Sequence, residues 1–399
     1  MRKWLHYRDM LIKINENSSE FKNNLEFPII KTESNCGCGS TVKAGQNAIP
    51  PLNQTFVCGS ILTSEGLLPQ VSSILSFDDH RGTIKARFGV FRMDYSVSPG
   101  LYALGNPHDN SPVLVTANYK MSFDRLRKAL PRQDIWILVL DTDGINVWCA
   151  AGKGTFGTEE LVCRIKSSGL ANIVKHRKLI LPQLGAPGVA AHLVAKLSGF
   201  KVQYGPVRAE DLPAYLDAGS KATELMRIMT FPLRERAVLI PIEFMEALKA
   251  FMIIAPVLLI FSGIMGPAGF WANVDSYGLF AVLAIFSAII SGAVFSTMLL
   301  PYLPGRAFSI KGLSVGIVTS LILLYLRNIN LQAWPGRIET LSWLLIIPAI
   351  SAFLAMNFTG ASTYTSLSGV KKEMRWALPL QISAIAIGII AWIGAILIS

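Results

Sequence analysis

The stretch DIWILVLDTDGINVWCAAGKG, residues 134–154, decides the fold class. It begins with six consecutive apolar residues, 135–140, which is the length and composition of a strand that is buried on both faces of a sheet. A glycine-containing loop follows, then small residues around Cys149, and then the amphipathic segment TEELVCRIKSSGL. A buried strand followed by helical segments predicts one unit of an α/β fold.

The same alternation continues on both sides of this stretch. SPVLVTAN precedes SFDRLRKAL, KLILPQLG precedes GVAAHLVAKLSG, and KVQYGPV precedes AEDLPAYLDAG. Four strand–helix repeats predict a largely parallel sheet covered by helices. Upstream, TIKARFGVFRMDYSVSPGLYALG, residues 83–105, alternates in hydrophobicity and predicts a hairpin or meander, whereas the polar residues 1–50 predict a flexible arm.

The C-terminal part of the chain has the composition of a membrane protein. The chain is 51% hydrophobic, and after about residue 245 its apolar runs lengthen towards the roughly 20 residues that cross a bilayer as a helix. Five such segments are predicted, at 247–265, 279–300, 307–326, 341–356 and 377–398, and the fourth is the shortest. The predicted domains are therefore the arm (1–50), a soluble α/β domain (51–235) and a transmembrane domain (236–399).

The basic residues predict the orientation in the membrane. Lys and Arg number 37 against 26 Asp and Glu, a net charge of +11, which in a soluble protein would suggest nucleic acid or acidic partners. Here eight basic residues flank one side of the spans and two flank the other, so the positive-inside rule places the α/β domain in the cytoplasm and the chain in the cytoplasmic membrane. The first side holds Arg234, Arg236, Lys249, Arg306, Lys311, Lys371, Lys372 and Arg375, and the second holds Arg327 and Arg337. We therefore expect a membrane protein with no nucleic-acid partner.

Cys149 is the candidate functional residue. It lies in the loop after a central strand, where sheets of this kind bind ligands, and near a helix start, where the helix dipole favours a thiolate. Cys163 provides a contrast, since it falls at core spacing within TEELVCRIK and is expected to pack.

Two other interpretations of this region remain open from the residues alone. AAGKGTFG could cradle phosphates, although Lys153 is followed by Gly154 rather than by the Ser or Thr of a P-loop. Cys149 could instead be the nucleophile of a hydrolase, with a histidine base. His80, His108, His176 and His192 are available, and their spacing selects none of them.

The eight residues NVWCAAGK, Asn146 to Lys153, resemble the signature of the mercury-methylating corrinoid proteins. The surrounding domain is similar to the corrinoid-binding domain of the corrinoid iron–sulfur protein of the acetyl-CoA pathway. The resemblance implies a Rossmann-like corrinoid-binding α/β domain with a parallel sheet, followed by an all-α transmembrane domain of five helices.

The resemblance also implies a cofactor and its ligands. Cys149 would be the axial ligand to the cobalt of a cobamide, because a thiolate is a soft donor that can tune a bound metal. The residues expected to surround the cofactor are Asn146, Val147, Trp148, Ala150, Ala151, Gly152 and Lys153 on the cysteine helix, and Thr116, Asn118, Gly185 and Gly188 at the edge of the corrin.

The implied function is corrinoid-dependent methyl transfer from methyl-cobalt(III) to inorganic Hg(II), which yields methylmercury. The implied partners are a methyl-tetrahydrofolate-linked methyl donor and a ferredoxin-like protein with two [4Fe–4S] clusters, which would act as reductant and as a possible Hg(II) donor. Two alternatives stay open: a corrinoid methyl carrier for another acceptor in one-carbon metabolism, and a membrane transporter with a cytoplasmic α/β domain.

Overall fold

The α/β domain is built on a seven-stranded sheet in the computed structural model, which describes residues 49–358 and 367–398. The predicted arm, residues 1–50, lies almost entirely outside the described residues. The strands are β1 (Val57–Thr63), β2 (Gly66–Val71), β3 (Gly100–Leu104), β4 (Val113–Ala117), β5 (Ile135–Leu140), β6 (Lys178–Leu181) and β7 (Lys201–Tyr204). The helices of this domain are α1 (Phe77–Arg87), α2 (Lys120–Ala129), α3 (Val147–Lys153), α4 (Thr158–Ser167), α5 (Leu170–Ile173), α6 (Ala191–Ser198) and α7 (Leu212–Asp217).

The four predicted strand–helix repeats are confirmed, but the sheet is mixed. Its order is β1-β2-β3-β5-β4-β6-β7, and β5, β4, β6 and β7 are parallel neighbours. The strand β3 runs antiparallel to β5, and β1 and β2 form an antiparallel pair beyond it. The prediction of a parallel sheet is therefore right for the half of the sheet that follows the repeats and wrong for the other half.

The strand β5 shows why the central apolar run is continuous. All six of its residues are buried. Trp136, Leu138 and Leu140 join one hydrophobic cluster, and Ile135, Ile137 and Val139 join a second one on the opposite face. A strand covered on both faces needs apolar side chains at every position.

The predicted hairpin at residues 83–105 is wrong. Residues 83–87 belong to helix α1, and only Gly100–Leu104 forms a strand. Helix α1 starts with a capping box, in which Ser76 and Asp79 satisfy each other's backbone amides, and this local signal outweighs the alternation downstream. The hairpin of this domain is β1–β2, which the sequence did not predict because Gly59 and Pro69 both disfavour strands.

Within the described residues, five helices of the C-terminal region are long and apolar enough to cross a membrane. The spans are Leu233–Met265, Phe270–Met298, Phe308–Arg327, Trp334–Asn357 and Lys372–Leu397, which we number first to fifth. Their number is as predicted, but the fourth span, at 24 residues, is longer than the third, at 20. The fourth span also has the largest buried share of its apolar window, 56%, because it packs between its neighbours.

Small residues allow the third and fourth spans to pack closely. A Cβ built on Gly312 would lie 2.6 Å from the Ala355 Cβ, and one on Gly316 would lie 2.5 Å from the Pro348 Cα. The Ser351 hydroxyl donates a hydrogen bond of 2.7 Å to the Gly312 carbonyl across this contact. Close approach through small residues, with a polar bond between helices, is typical of helices packed in a membrane.

The segment that joins the domain to the spans is packed rather than free. Phe231 is 5% exposed and forms a cluster with Phe308 of the third span and with Leu300 and Phe358, which follow the second and fourth spans. Arg236 donates through Nη1 to the Met298 carbonyl at 2.5 Å, where the second span ends. A cation at a helix C-terminus satisfies carbonyls that lack a partner within the helix.

Candidate functional site

The predicted site residues meet at one edge of the sheet. The parallel strands β4, β5 and β6 all end there. The segments that follow them carry Asn118, helix α3 and the turn Gln183–Gly188 respectively. Ligands of α/β sheets bind outside the carboxyl ends of the strands, so a binding site is expected at this edge.

Helix α3 presents Cys149 from its first turn. The chain leaves β5 through a tight loop in which Asp143 and Gly144 have φ of 54° and 67°. Asn146 then caps the helix, because its side-chain oxygen accepts the Cys149 backbone N–H at 2.9 Å. Gly154 ends the helix in the left-handed conformation, with φ of 86°. The backbone of Cys149 is therefore fixed by a cap only three residues away.

The residues of α3 divide into a buried set and a more accessible set. Ala150 is fully buried and Ala151 is 6% exposed, so both belong to the core and support the helix from behind. The half-buried positions are Val147, Trp148 and Cys149, and the exposed ones are Gly152 and Lys153. Cys149 is thus partly accessible to solvent, whereas the two alanines are buried.

Gly185 and Gly188 act as spacers behind α3. A Cβ on Gly188 would lie 2.1 Å from the Phe156 carbonyl oxygen and 3.0 Å from the Ala151 Cα. A Cβ on Gly185 would lie 2.5 Å from the Phe156 ring. Both glycines therefore allow the turn Gln183–Gly188 to close against the cysteine helix, and this packing explains the small residues of QLGAPG.

Asn118 organises the loop that leads to Cys149. Its side-chain oxygen accepts the N–H of Thr142 at 3.1 Å, the hydroxyl of Thr142 at 2.8 Å and the N–H of Gly144 at 3.0 Å. Its amide nitrogen donates to Asp141 at 3.1 Å. Thr116, also predicted as a cofactor contact, is 4% exposed within β4. The structure thus shows Asn118 binding the protein's own backbone.

The sequence did not point to Tyr119, Arg87 and Arg92, which border the same edge. The Arg92 guanidinium carbon lies 5.8 Å from the centre of the Tyr119 ring. Burial raises the pKa of Tyr119, while the nearby Arg92 and Arg87 oppose this rise and Cys149 adds to it. The Tyr119 hydroxyl is therefore within electrostatic range of both arginines and of the candidate thiol.

A buried ionic network connects the helices next to Arg87 and Tyr119. Lys120 Nζ contacts Asp79 and Asp124 at 2.6 Å, and Arg127 contacts the same two carboxylates at 2.6 and 2.8 Å. All four side chains are at most 6% exposed. Burial on its own would raise the pKa of Asp79, but hydrogen bonds from Lys120, the Ser76 backbone and Arg127 hold it well below its usual range. The network ties α1, which carries Arg87, to α2, which follows Tyr119.

The two alternative interpretations of the cysteine loop find little support in this geometry. Lys153 lies in the last turn of α3, at the negative end of the helix dipole, whereas a P-loop lysine stands beside a helix N-terminus. His108 and His176 precede β4 and β6, at the edge opposite Cys149. His80 and His192 are both exposed.

The described residues form an α/β domain with a half-buried cysteine at the carboxyl edge of its sheet, followed by five membrane-length helices. The domain has relatives. Residues 84–216 match the protein family described as "CO dehydrogenase/acetyl-CoA synthase delta subunit". This stretch contains every residue predicted for the site, together with Arg87, Arg92 and Tyr119.

Individual relatives are archaeal subunits of an enzyme complex, each named "Acetyl-CoA decarbonylase/synthase complex subunit gamma". The protein of Methanopyrus kandleri is 34% identical over 128 residues, which are 32% of this chain and 27% of that protein. That of Methanocaldococcus jannaschii is 37% identical over 97 residues, 24% and 20% of the two chains. That of Archaeoglobus fulgidus is 30% identical over 152 residues, 36% and 31%. This chain thus spans less than a third of the length of these relatives.

These comparisons correct the family assigned from NVWCAAGK. Both the matching family and the relatives are named as subunits of acetyl-CoA synthase or decarbonylase/synthase complexes, and not as mercury-methylating proteins. The eight-residue signature is short, whereas the relatives match over about a hundred residues or more. The identification as a mercury-methylating protein is therefore wrong.

Proposed function

We propose that this chain is a membrane-anchored corrinoid protein that carries methyl groups in one-carbon metabolism, with Cys149 as the protein ligand to cobalt. One observation carries the proposal: the half-buried Cys149 stands on a capped helix at the carboxyl edge of the sheet. It does so within the residues that match the acetyl-CoA synthase subunit family.

The residues present fit a cobamide in two respects. A cysteine sulfur is a soft donor of the kind that soft or polarisable metal ions accept. Exposed apolar side chains stand near the same edge, since Phe91 is 74% exposed, Met93 is 62% exposed and the Met93 carbonyl approaches Gly144 in the loop before α3. A broad, flat macrocycle would cover such side chains.

The protein's contribution is to fix the sulfur. A cobamide, when bound, supplies a cobalt ion that accepts a methyl group from one molecule and passes it to another. Asn146 caps the helix that bears Cys149, and Ala150 and Ala151 hold that helix against the core. Asn118 fixes the loop before it. The sulfur is thus positioned before any ligand arrives, which lowers the entropic cost of binding.

We further propose the setting in which this chemistry takes place. The distribution of basic residues supports an α/β domain that faces the cytoplasm from the cytoplasmic membrane. A tetrahydrofolate-type carrier is the proposed methyl donor. A ferredoxin-like protein with two [4Fe–4S] clusters is the proposed reductant.

The proposal is tested on the full-length protein in detergent, reconstituted anaerobically with cobalamin. We expect the wild type to show a shifted cobalt absorption spectrum that reports sulfur ligation, and Cys149→Ala to lose both this shift and methyl transfer. Cys163→Ser is the matched control, because Cys163 is a second half-buried cysteine on the neighbouring helix α4, and it should behave as the wild type. An unchanged spectrum in Cys149→Ala would contradict the proposal.

The methyl acceptor is identified in a second assay. Protein loaded with isotopically labelled methyl groups is offered a tetrahydrofolate-type carrier, a small thiol and inorganic Hg(II) in separate reactions. Exchange of label with the tetrahydrofolate carrier supports a role in one-carbon metabolism. Transfer to Hg(II) alone would instead favour the acceptor expected from the sequence.

A further inference from the structure

Arg87 carries a buried donor that has no partner. Its Nε is shielded from solvent and makes no hydrogen bond. Burial and the nearby Arg125 lower the pKa of Arg87, so the surroundings disfavour its positive charge. Arg125 differs, since it is more than half exposed and lies 3.8 Å from Glu210. A buried guanidinium donor without an acceptor is costly unless a ligand supplies the acceptor.

Arg92, like Arg87, acts electrostatically on Tyr119. Its guanidinium lies over the Tyr119 ring, and the Tyr119 hydroxyl is within electrostatic range of both arginines and of Cys149. Tyr119 follows Asn118 directly, and Asn118 is bonded to the loop that leads into the cysteine helix. Two cationic side chains therefore border the edge at which the candidate cobalt ligand stands.

Two guanidinium groups within range of the same tyrosine favour an oxyanion as ligand. Their planar forks match the oxygen geometry of phosphate and carboxylate groups. The periphery of a complete corrin ring carries neutral amides, and the permanent anion of a cobamide is the phosphodiester that joins the ring to its nucleotide tail.

We propose that Arg87 and Arg92 bind the phosphodiester of the cobamide's nucleotide tail. This inference rests on the proposed function, and it extends the site from Cys149 on α3 to residues on and after α1. It also gives the buried ionic network a purpose, because that network fixes α1 relative to the loop after β4.

The test compares two ligands on the full-length protein in detergent. Cobalamin has the nucleotide tail, and cobinamide has the same ring without the tail or its phosphodiester. Dissociation constants are measured by spectral titration for the wild type, Arg87→Ala and Arg92→Ala. The matched control is Lys85→Ala, which removes one positive charge from an exposed position on the same helix.

We expect each arginine variant to bind cobalamin about tenfold more weakly, the loss expected for one charge-assisted hydrogen bond. Binding of cobinamide should be unchanged, and Lys85→Ala should bind both ligands as the wild type does. Arg87→Lys should recover part of the loss, which separates lost charge from lost folding.

Three outcomes would count against the inference. Equal weakening for both ligands would show that the arginines act on the ring or on folding, and no weakening would show that they do not touch the tail. Either result overturns the inference and leaves the proposed function in place. If the wild type binds neither corrinoid, the proposed function itself fails.

Discussion

Replacing Asn118 by alanine should destabilise the loop that leads to Cys149. The Asn118 oxygen accepts the N–H groups of Thr142 and Gly144, and both of these residues are buried. Alanine would leave both donors without a partner. An unsatisfied buried donor costs about 1–3 kcal/mol, so two of them, partly relieved by local relaxation, should cost about 2–4 kcal/mol. That is a large part of the about 5–15 kcal/mol by which a typical domain is stable.

The assay combines global and local readouts. Denaturant unfolding of the full-length protein in detergent gives the change in free energy. Amide hydrogen exchange, followed by mass spectrometry on peptides that contain Thr142 and Gly144, shows whether the loop itself opens. Asn110→Ala is the control, because Asn110 is exposed. Wild-type stability together with unchanged exchange at residues 141–146 would refute the reasoning.

Two further predictions concern the ionic network and the spans. Asp79→Asn should destabilise the protein by about 3–5 kcal/mol, since it breaks a buried pair, as measured by denaturant unfolding. The pKa of Asp79 is lowered in the folded state, so its stabilising contribution is present above the unfolded pKa of about 3.9 and is lost as the pH falls towards the folded pKa. Asp79→Asn should therefore lose less stability in acid than the wild type does. The same acid profile in both proteins would contradict this prediction. Gly312→Ala should lower the thermal unfolding temperature in detergent because its Cβ would meet Ala355, whereas Gly394→Ala, whose Cβ meets nothing within 4 Å, should not; equal effects would contradict the packing argument.

The repeating part of the fold could be predicted because its signals are local. The strand β5 is apolar at every position because both faces of the sheet are covered, and this is visible in six consecutive letters. The five spans are visible for a similar reason, since each must be apolar along its length. The strands β2 and β3, which run parallel to each other and opposite to β5, lacked such a signal, because their direction depends on pairings that no local pattern specifies.

Helix α1 shows what local patterns miss. Its sequence, FDDHRGTIKAR, is polar, contains a glycine and has no clear apolar face. What holds it in place is Asp79, whose partners Lys120 and Arg127 lie 41 and 48 residues away. An aspartate that is ordinary in sequence thus becomes a buried anchor only in three dimensions.

The candidate site was predicted only where it depends on local patterns. Cys149 and its helix follow a recognisable strand, so their place at the carboxyl edge could be inferred. The backbone contacts of Asn118 and Gly188 were not predicted, and their contacts with a cofactor stay predictions. Arg87 was missed because an arginine at the end of a polar helix resembles any surface residue until its Nε is found to be buried.

The α/β domain and the spans should be studied as one molecule. A Cβ built on Gly89, two residues after Arg87, would lie 3.7 Å from Glu246 Oε1 in the first span. Phe231 is buried among side chains of the third span and of the chain ends beside the second and fourth. The segment that follows α1 therefore lies beside the first span. Removing the spans would uncover this segment and the buried Phe231, so the binding experiments require the complete chain.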